Sequence, residues 1–287
     1  TVIMHQKQQS LDVNYWALLL ECSLTFGQTK EVNKMNFSHQ EYSSILEAFE
    51  GRWCSFFDVS DQPFVLMRHD VEFSVERAFE LGELENQKGV KSTFNFQFVA
   101  IYNVASNVSR EKIRSLANFG HTIGLHFYAS HIEDSNFEVL EKELIRQTKI
   151  LEDATDLDVK TFSFHRPKSW MLKDLRDDQL AGLINQYGKS FFEFSENQNN
   201  KDIADSRHTW DYGYPADFIN NERVQVLTHP DEWSREGLNE EENFRAIKHE
   251  IGIKVSEAFL DESPAILLNM LEKYENMFFG NKALTRE

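Results

Sequence analysis

The segment from Phe64 to Phe98 constrains the fold more than any other part of the chain. Four apolar residues at 64–67 run directly into Arg-His-Asp-Val-Glu at 68–72. Apolar residues then recur at helical spacing as far as Gly89, and a second apolar run follows. This order predicts a βαβ unit. Residues 68–72 would then lie at the carboxyl end of a buried strand, where α/β folds place their active sites.

The alternation of strand and helix continues along the chain and favours an α/β architecture with a parallel sheet. Four further strands are predicted to end in polar residues, at His126, at 165–166, at 205–207 and at His229. Because five strand ends carry such residues towards one rim, we expect a barrel with its site at the C-terminal face. Helices are predicted at 38–49, 109–119, 136–151, 180–187, about 240–260 and 264–279, and a short strand at 191–194.

Composition narrows the classes of partner. The chain of 287 residues has 30 basic and 47 acidic residues and a net charge of −17, which argues against nucleic acid and anionic membranes as partners. Cys22 and Cys54 do not make a disulfide framework, so a reduced, cytoplasmic setting is expected. No segment is long and apolar enough to predict a membrane span, and residues 1–10 lack the pattern of a signal peptide.

The polar strand ends contain the ligands of a divalent metal site. Asp70 or Glu72 together with His126 and His131 would supply one carboxylate and two imidazoles, a set that suits Zn²⁺ with an open position for water. Such an ion favours hydrolysis of an amide or ester. His126 and His131 are five residues apart, so they converge only across a loop. His121 follows Gly120 at the start of its predicted strand and is interpreted as structural.

The motifs, taken together, resemble those of the NodB-like polysaccharide deacetylases (carbohydrate esterase family 4), in a divergent branch associated with surface-polysaccharide gene clusters. The resemblance rests on RHDVE at 68–72, GHTIGLH at 120–126, FHRP at 164–167, DSR at 205–207 and LTHP at 227–230. It implies a distorted (β/α) barrel of about seven strands at 35–235, with an N-terminal extension (1–34) and C-terminal helices (236–287) added to it. It also implies metal-dependent N-deacetylation.

The resemblance assigns a role to each matching residue. It makes Asp70 the acid of the first motif, His126 the first metal histidine and His131 the second. Arg166 would steady the catalytic base. Asp205 would be the acid of the fourth motif, and His229 would protonate the departing amine.

Two departures from the family pattern leave the catalytic base open. The usual pair of adjacent aspartates appears as His69-Asp70, and the gap between the two histidines is one residue wider. Either His69 acts as base and Asp70 binds the metal, or Asp70 acts as base and Glu72 binds it. The first option, in which Asp70 binds the metal, is preferred.

The expected substrate is an N-acetylated sugar or polysaccharide precursor, with Trp210 and Trp233 as candidates to stack on a sugar ring. A catalytically silent domain that binds saccharide or a biosynthetic partner is the alternative. Hydrolysis of a different amide is a third possibility. The C-terminal helices could cap the barrel or form a contact in a homo-oligomer.

Overall fold

The computed structural model describes residues 36–133, 136–191 and 199–262. The expected N-terminal extension, the helix at 264–279 and most of the strand at 191–194 lie outside these residues. The helices are α1 (His39–Ala48), α2 (Val75–Gln87), α3 (Asn107–Asn118), α4 (Phe137–Thr155), α5 (Ser169–Asp174) and α6 (Glu240–Glu262). The strands are β1 (Trp53–Cys54), β2 (Phe64–Val71), β3 (Thr93–Phe96), β4 (Thr122–Tyr128), β5 (Thr161–His165), β6 (Gln179–Leu180), β7 (Leu183–Asn185), β8 (Asn200–Ala204) and β9 (Arg223–Thr228).

One sheet contains all nine described strands. Seven of them run parallel in the order β7-β5-β4-β3-β2-β9-β8, while β6 adds an antiparallel edge and β1 pairs with β2. The sheet is strongly curved. This curvature is seen in Gln186 and Tyr187, just beyond β7, which form hydrogen bonds with side chains of β2, β3 and β9 across the inner face. The fold is therefore a distorted (β/α) barrel, as predicted.

Helices cover the outer face of this sheet and bury the larger core. Phe94, Leu125 and Phe162 on the strands are fully buried with residues of α2, α3 and α4 such as Leu81, Leu116 and Leu144. The helices predicted from 38, 109 and 136 begin within two residues of those positions, at His39, Asn107 and Phe137. Side chains of Ser38, Ser74, Ser106 and Asn136 accept a hydrogen bond from the first turn of α1, α2, α3 and α4 respectively.

The inner face of the sheet changes from apolar to polar along the strands. At the amino ends, Phe64 and Leu66 form a small apolar cluster with Phe56. Towards the carboxyl ends, buried polar side chains take over the interior, among them Arg68, Asp70, Asn95, Ser163, Gln186 and Gln225. Because side chains alternate along a strand, Arg68 and Asp70 lie on this inner face and His69 lies on the outer one.

The predicted helix at 180–187 is wrong, because the chain forms the β6–β7 hairpin there. Ala181 and Gly182 connect the two strands and have φ angles of 50° and 82°, as a two-residue hairpin turn requires. The residues after the turn, Asn185 and Gln186, are buried and hydrogen-bonded inside the barrel. Apolar spacing alone suggested a helix, but the turn and the buried amides decide for a strand.

Helix α6 lies against α2 and the segment that follows β9. Arg77 of α2 donates hydrogen bonds to the carbonyl oxygens of Asp231 and Trp233 and to Asn243 Oδ1, and it pairs with Glu250 at 2.8 Å. No described helix combines the length and hydropathy that a membrane span needs.

Candidate metal centre and acid–base pair

The first polar group of the site is Glu72, which stands just beyond the end of β2. Its carboxylate points to the centre of the barrel rim, and the buried Asp231 side chain accepts hydrogen bonds from the backbone N–H groups of Glu72 and Phe73 at 3.2 and 3.0 Å. Tyr102 donates to the carbonyl oxygen of Val71 at 2.8 Å. Contacts on three successive residues therefore hold the backbone that carries Glu72.

Glu72 meets two histidines from neighbouring strands. Its Oε1 lies 3.4 Å from His126 Nε2 at the end of β4 and 2.9 Å from His165 Nδ1 at the end of β5. The two histidine nitrogens are 3.1 Å apart. Among the described residues, the side chains of Glu72, His126 and His165 form the group that could hold a metal ion, the metal cluster.

The size of this triangle fits a small divalent cation. Ligand atoms about 2.1 Å from a tetrahedral Zn²⁺ lie about 3.4 Å from one another, close to the three distances observed. One carboxylate and two imidazoles also form a ligand set that leaves a position open for water. Burial alone would raise the pKa of Glu72, but the neighbouring imidazoles of His126 and His165 lower it, so the carboxylate is charged.

His126 is oriented by a chain of hydrogen bonds on its far side. Ser163 Oγ donates to Asp70 Oδ1 at 2.7 Å and lies 2.7 Å from His126 Nδ1. A hydroxyl has one proton to donate, so it must accept a hydrogen bond from the N–H at Nδ1 of His126. The Nε2 lone pair of His126 therefore faces Glu72 and His165, in the tautomer that a metal ligand needs.

Asp70 lies behind this pair and is held from several sides. Asn95 Nδ2 donates to its Oδ1 at 2.9 Å, and Arg68 Nη2 lies 3.6 Å from its Oδ2. Burial alone would raise the Asp70 pKa, but His126, Arg68 and His229 lower it, so Asp70 remains ionised. The group that could hold a cation contains Glu72, two residues further along, and not Asp70 as expected from sequence.

An acid–base pair comes from the other side of the barrel. The buried Asp205 carboxylate, just beyond β8, accepts a hydrogen bond from His229 Nδ1 at 2.7 Å and another from Trp233 Nε1 at 2.8 Å. Burial alone lowers the His229 pKa, but the hydrogen bond to Asp205 and the nearby charges of Asp205, Asp70 and Glu72 raise it to about 10. His229 is therefore an imidazolium at neutral pH.

His69 lies outside the site, which corrects its expected role as a base. It projects from the outer face of β2, where its Nε2 is 3.0 Å from Glu85 Oε1 and its ring stacks on Phe94. Its Nδ1 lies 2.6 Å from Thr228 Oγ1. A side chain next to Asp70 in a strand necessarily faces the opposite side of the sheet.

His131 is not part of the metal cluster either, since the ligand position expected for it is filled by His165. His131 is exposed and stacks on Tyr128, with ring centroids 5.9 Å apart. The loop after β4 carries it outward, whereas the end of the adjacent strand β5 carries His165 inward. The FHRP motif at 164–167 was expected to contribute Arg166 to the site, but it contributes His165.

That arginine, Arg166, occupies an exposed position beside the cleft, with a φ angle of 48°. No hydrogen bond or ion pair joins it to another described residue. The guanidinium beside Asp70 is that of Arg68, on the same strand and the same face. Arg68, and not Arg166, therefore lies beside the carboxylate of Asp70.

The two tryptophans expected to stack on sugar are core residues. Trp233 and Trp210 are 1% and 6% exposed and pack with Phe37 in an aromatic cluster below the rim. Trp233 still bears on the site, because its indole N–H fixes the Asp205 carboxylate.

A cleft of about 210 Å³ opens over the metal cluster and leads to solvent. Glu72, His165 and Arg166 line it on one side. The loop after β3 contributes the other wall, on which Val99 and Ile101 are 48% and 58% exposed. A substrate can therefore reach the cluster, and the apolar loop side chains are available to contact it.

Comparison with known proteins gives structural similarities only. No protein-family model and no curated protein sequence matches the chain. Solved structures that are similar include a carbohydrate esterase family 4 pseudoenzyme from Bacillus anthracis (TM-score 0.37, 14% identity, 68% of this chain and 62% of that one). They also include a family 4 carbohydrate esterase from Bacillus anthracis (TM-score 0.38, 14% identity, 80% and 89%) and a chitin deacetylase from Colletotrichum lindemuthianum (TM-score 0.34, 16% identity, 67% and 84%).

The chain resembles the NodB-like polysaccharide deacetylases. It spans less than two thirds of the length of the pseudoenzyme it is similar to. The roles of residues in this chain therefore rest on its own contacts.

Proposed function

We propose that the protein is a metal-dependent hydrolase that removes the acetyl group from an N-acetylated sugar or polysaccharide precursor. The observation that carries the proposal is the cluster of Glu72, His126 and His165 in an open cleft, with an ionised carboxylate and an imidazolium beside it. The motif resemblance supports the sugar as substrate. The same chemistry would act on an ester.

Glu72 Oε1, His126 Nε2 and His165 Nδ1 would hold the cation. When bound, a divalent ion supplies a water of lowered pKa and polarises the carbonyl oxygen of the acetyl group. Asp70 keeps the ligand geometry through Ser163, since the hydroxyl joins the Asp70 carboxylate to His126 Nδ1.

Asp70 is also the carboxylate left to act as the base. Glu72 is committed to the cation, and His69 faces the helices, so the second option left open by the sequence fits the geometry. Arg68 and Asn95 keep Asp70 ionised and fixed in position. Asp70 would take the proton of the attacking water as the C–O bond forms.

His229 would act as the general acid. Its proton is retained at neutral pH because Asp205 accepts the hydrogen bond from Nδ1. Nε2 is then the nitrogen able to donate to the amine as the C–N bond breaks. The products are acetate and a free amino sugar.

The histidine pair tests this assignment sharply, because His131 provides a matched control for His165. His165→Ala should lose the bound metal and lower acetate release from an N-acetylglucosamine oligomer by more than about a hundredfold. His131→Ala should retain the metal and stay within about twofold of the parent protein. Elemental analysis and an acetate assay measure both effects.

Equal metal loss in both variants, or metal loss in the His131 variant alone, would refute the proposed ligand set. A folded parent protein that binds no metal and releases no acetate would favour the silent saccharide-binding domain instead.

A further inference from the structure

A second cavity opens between the end of the β6–β7 hairpin and strands β2, β8 and β9. It measures about 140 Å³ and shares no lining residue with the cleft over the metal cluster. Three polar side chains line it: Arg68, Asp202 and Gln225. The rest of the wall is aromatic or apolar and consists of Tyr187, Tyr212, Ile203, Ala204 and Leu227. Its size suits one sugar-sized ring rather than a chain.

Two buried polar groups in this wall have unused hydrogen-bonding capacity. Arg68 is 1% exposed, and its Nε and Nη1 have no hydrogen-bond partner among the described residues. Gln225 is 3% exposed, and its Oε1 likewise has none, although its Nε2 donates to Asp202 Oδ1 at 2.9 Å. Buried groups of this kind are normally satisfied, so two residues of the wall have donors and an acceptor left over.

The charges favour a neutral occupant over an anion. The positive charge of Arg68 already faces Asp70 at 3.6 Å. Asp202 lines the same wall, and burial raises its pKa to about 7, although Gln225 and Arg68 oppose that shift. A carboxylate ligand would only accept hydrogen bonds, so it would leave Gln225 Oε1 unsatisfied and be repelled by ionised Asp202.

A hydroxyl group both donates and accepts, which is what this wall requires. The flat face of a sugar ring also needs an apolar surface. Arg68 lies 4.5 Å from the ring centroid of Tyr187 and covers one face of that ring, so Tyr212 is the ring available for stacking. Tyr212 is 61% exposed and stands at the mouth, where an entering ring would meet it.

We infer that this cavity is a binding site for a single neutral, polyhydroxylated sugar ring, separate from the cleft over the metal cluster. Arg68 and Gln225 supply its donors and acceptor, and Tyr212 supplies its stacking surface. The inference goes beyond the proposed hydrolysis and does not depend on it, because it requires neither a metal nor turnover.

Titration of the metal-free protein with methyl β-D-glucoside, a sugar without an acetyl group, tests the inference. Binding is followed by ¹H–¹⁵N chemical shifts. We expect saturable shifts at the amides of Ile203, Ala204 and Tyr212. Sodium propionate at the same ionic strength should leave these amides unmoved.

Two variants locate the binding. Ala204→Phe fills the cavity and should abolish the shifts, whereas Ala100→Phe, on the wall of the other cleft, should leave the glucoside affinity unchanged. Tyr212→Ala removes an exposed ring, which leaves the core intact, and should weaken binding about fivefold or more.

Shifts caused by propionate and not by the glucoside would overturn the inference in favour of an anion site. Absence of saturation by the glucoside, or unchanged affinity in both Ala204→Phe and Tyr212→Ala, would overturn it as well. Neither result depends on acetate release, so the proposed hydrolysis is tested separately.

Discussion

The pKa of His229 is raised chiefly by its hydrogen bond to Asp205 and by the charge of Asp205. Asp205→Asn removes the negative charge and leaves a weaker acceptor, so the pKa of His229 should fall from its value of about 10. In the proposed mechanism the amine leaves only while His229 is protonated, so the alkaline limb of the activity profile should move to lower pH.

Imidazole ¹⁵N shifts in the metal-free protein measure this change directly. His208 provides an internal control, because its own pKa is raised by Glu232 and not by Asp205. An unchanged titration of His229 in the Asp205→Asn variant would contradict the pairing. The raised pKa of His229 also stabilises the folded protein. This contribution to stability is complete below about pH 6.5 and is lost as the pH rises through about 10.

Gly124 of β4 leaves the space that the buried amides need. A Cβ at this position would lie 2.2 Å from Asn95 Oδ1, so Asn95 would have to move from its hydrogen bonds with Asp70 and Gln186. We expect Gly124→Ala to lower the free energy of unfolding by about 1–3 kcal/mol in a urea titration.

Gly252 of α6 is the matched control, because a Cβ there meets nothing within 4 Å. Gly252→Ala should stabilise the protein by up to about 1 kcal/mol, as expected for an exposed helical position. A neutral result for Gly124→Ala would show that the barrel interior accommodates the methyl group.

At the residue scale, the sequence predicted the kinds of group in the site better than their exact members. His126, Asp205 and His229 could be placed because each ends a strand with recognisable flanking residues. The sequence pointed to His131 and not to His165 as the second histidine, because the path of the loop after β4 is set by packing and not by spacing. Trp210 and Trp233 looked solvent-facing beside polar neighbours, although their size favoured burial.

At the element scale, Arg77 connects α2, α6 and the segment that follows His229. It is 8% exposed and donates to the carbonyl oxygens of Asp231 and Trp233 and to Asn243 Oδ1. Arg77→Leu would remove the donor to the Trp233 carbonyl oxygen and to Asn243 Oδ1, and one of the two donors to the Asp231 carbonyl oxygen. We expect the free energy of unfolding to fall by about 2–4 kcal/mol in a urea titration.

Arg235 offers the comparison at an exposed position, since its side chain is 69% exposed and pairs with Glu80. Arg235→Leu should change stability by less than about 0.5 kcal/mol. Equal effects of the two substitutions would mean that Arg77 contributes only a surface ion pair.

Most elements could be predicted from apolar spacing and helix caps, as the starts of α1 and α4 illustrate. The β6–β7 hairpin could not, since Leu180 and Leu183 fit a helical period equally well. Its strands are short, and the cause of the turn is the backbone conformation of Ala181 and Gly182. The burial of Asn185, the polar residue of β7, could not be predicted from the sequence, because it depends on the curvature of the sheet.

At the scale of the whole molecule, the candidate site exists because the sheet is curved and its strands are parallel. Glu72, His126, His165, Asp205 and His229 lie at or near the carboxyl ends of five different strands, and these ends meet at the same rim. This convergence could be predicted from the polar strand ends. Distances of about 3 Å between ligand atoms could not, because they depend on which face of each strand turns inward.

Glu72, His126 and His165 are proposed to bind one divalent cation, and the proposed function depends on that ion. Crystals grown with Zn²⁺ and measured at the zinc absorption edge would locate the ion by its anomalous signal. We predict one peak about 2.0–2.2 Å from Glu72 Oε1, His126 Nε2 and His165 Nδ1. A peak bound by Asp70 and His131, or no peak in this cleft, would contradict the account.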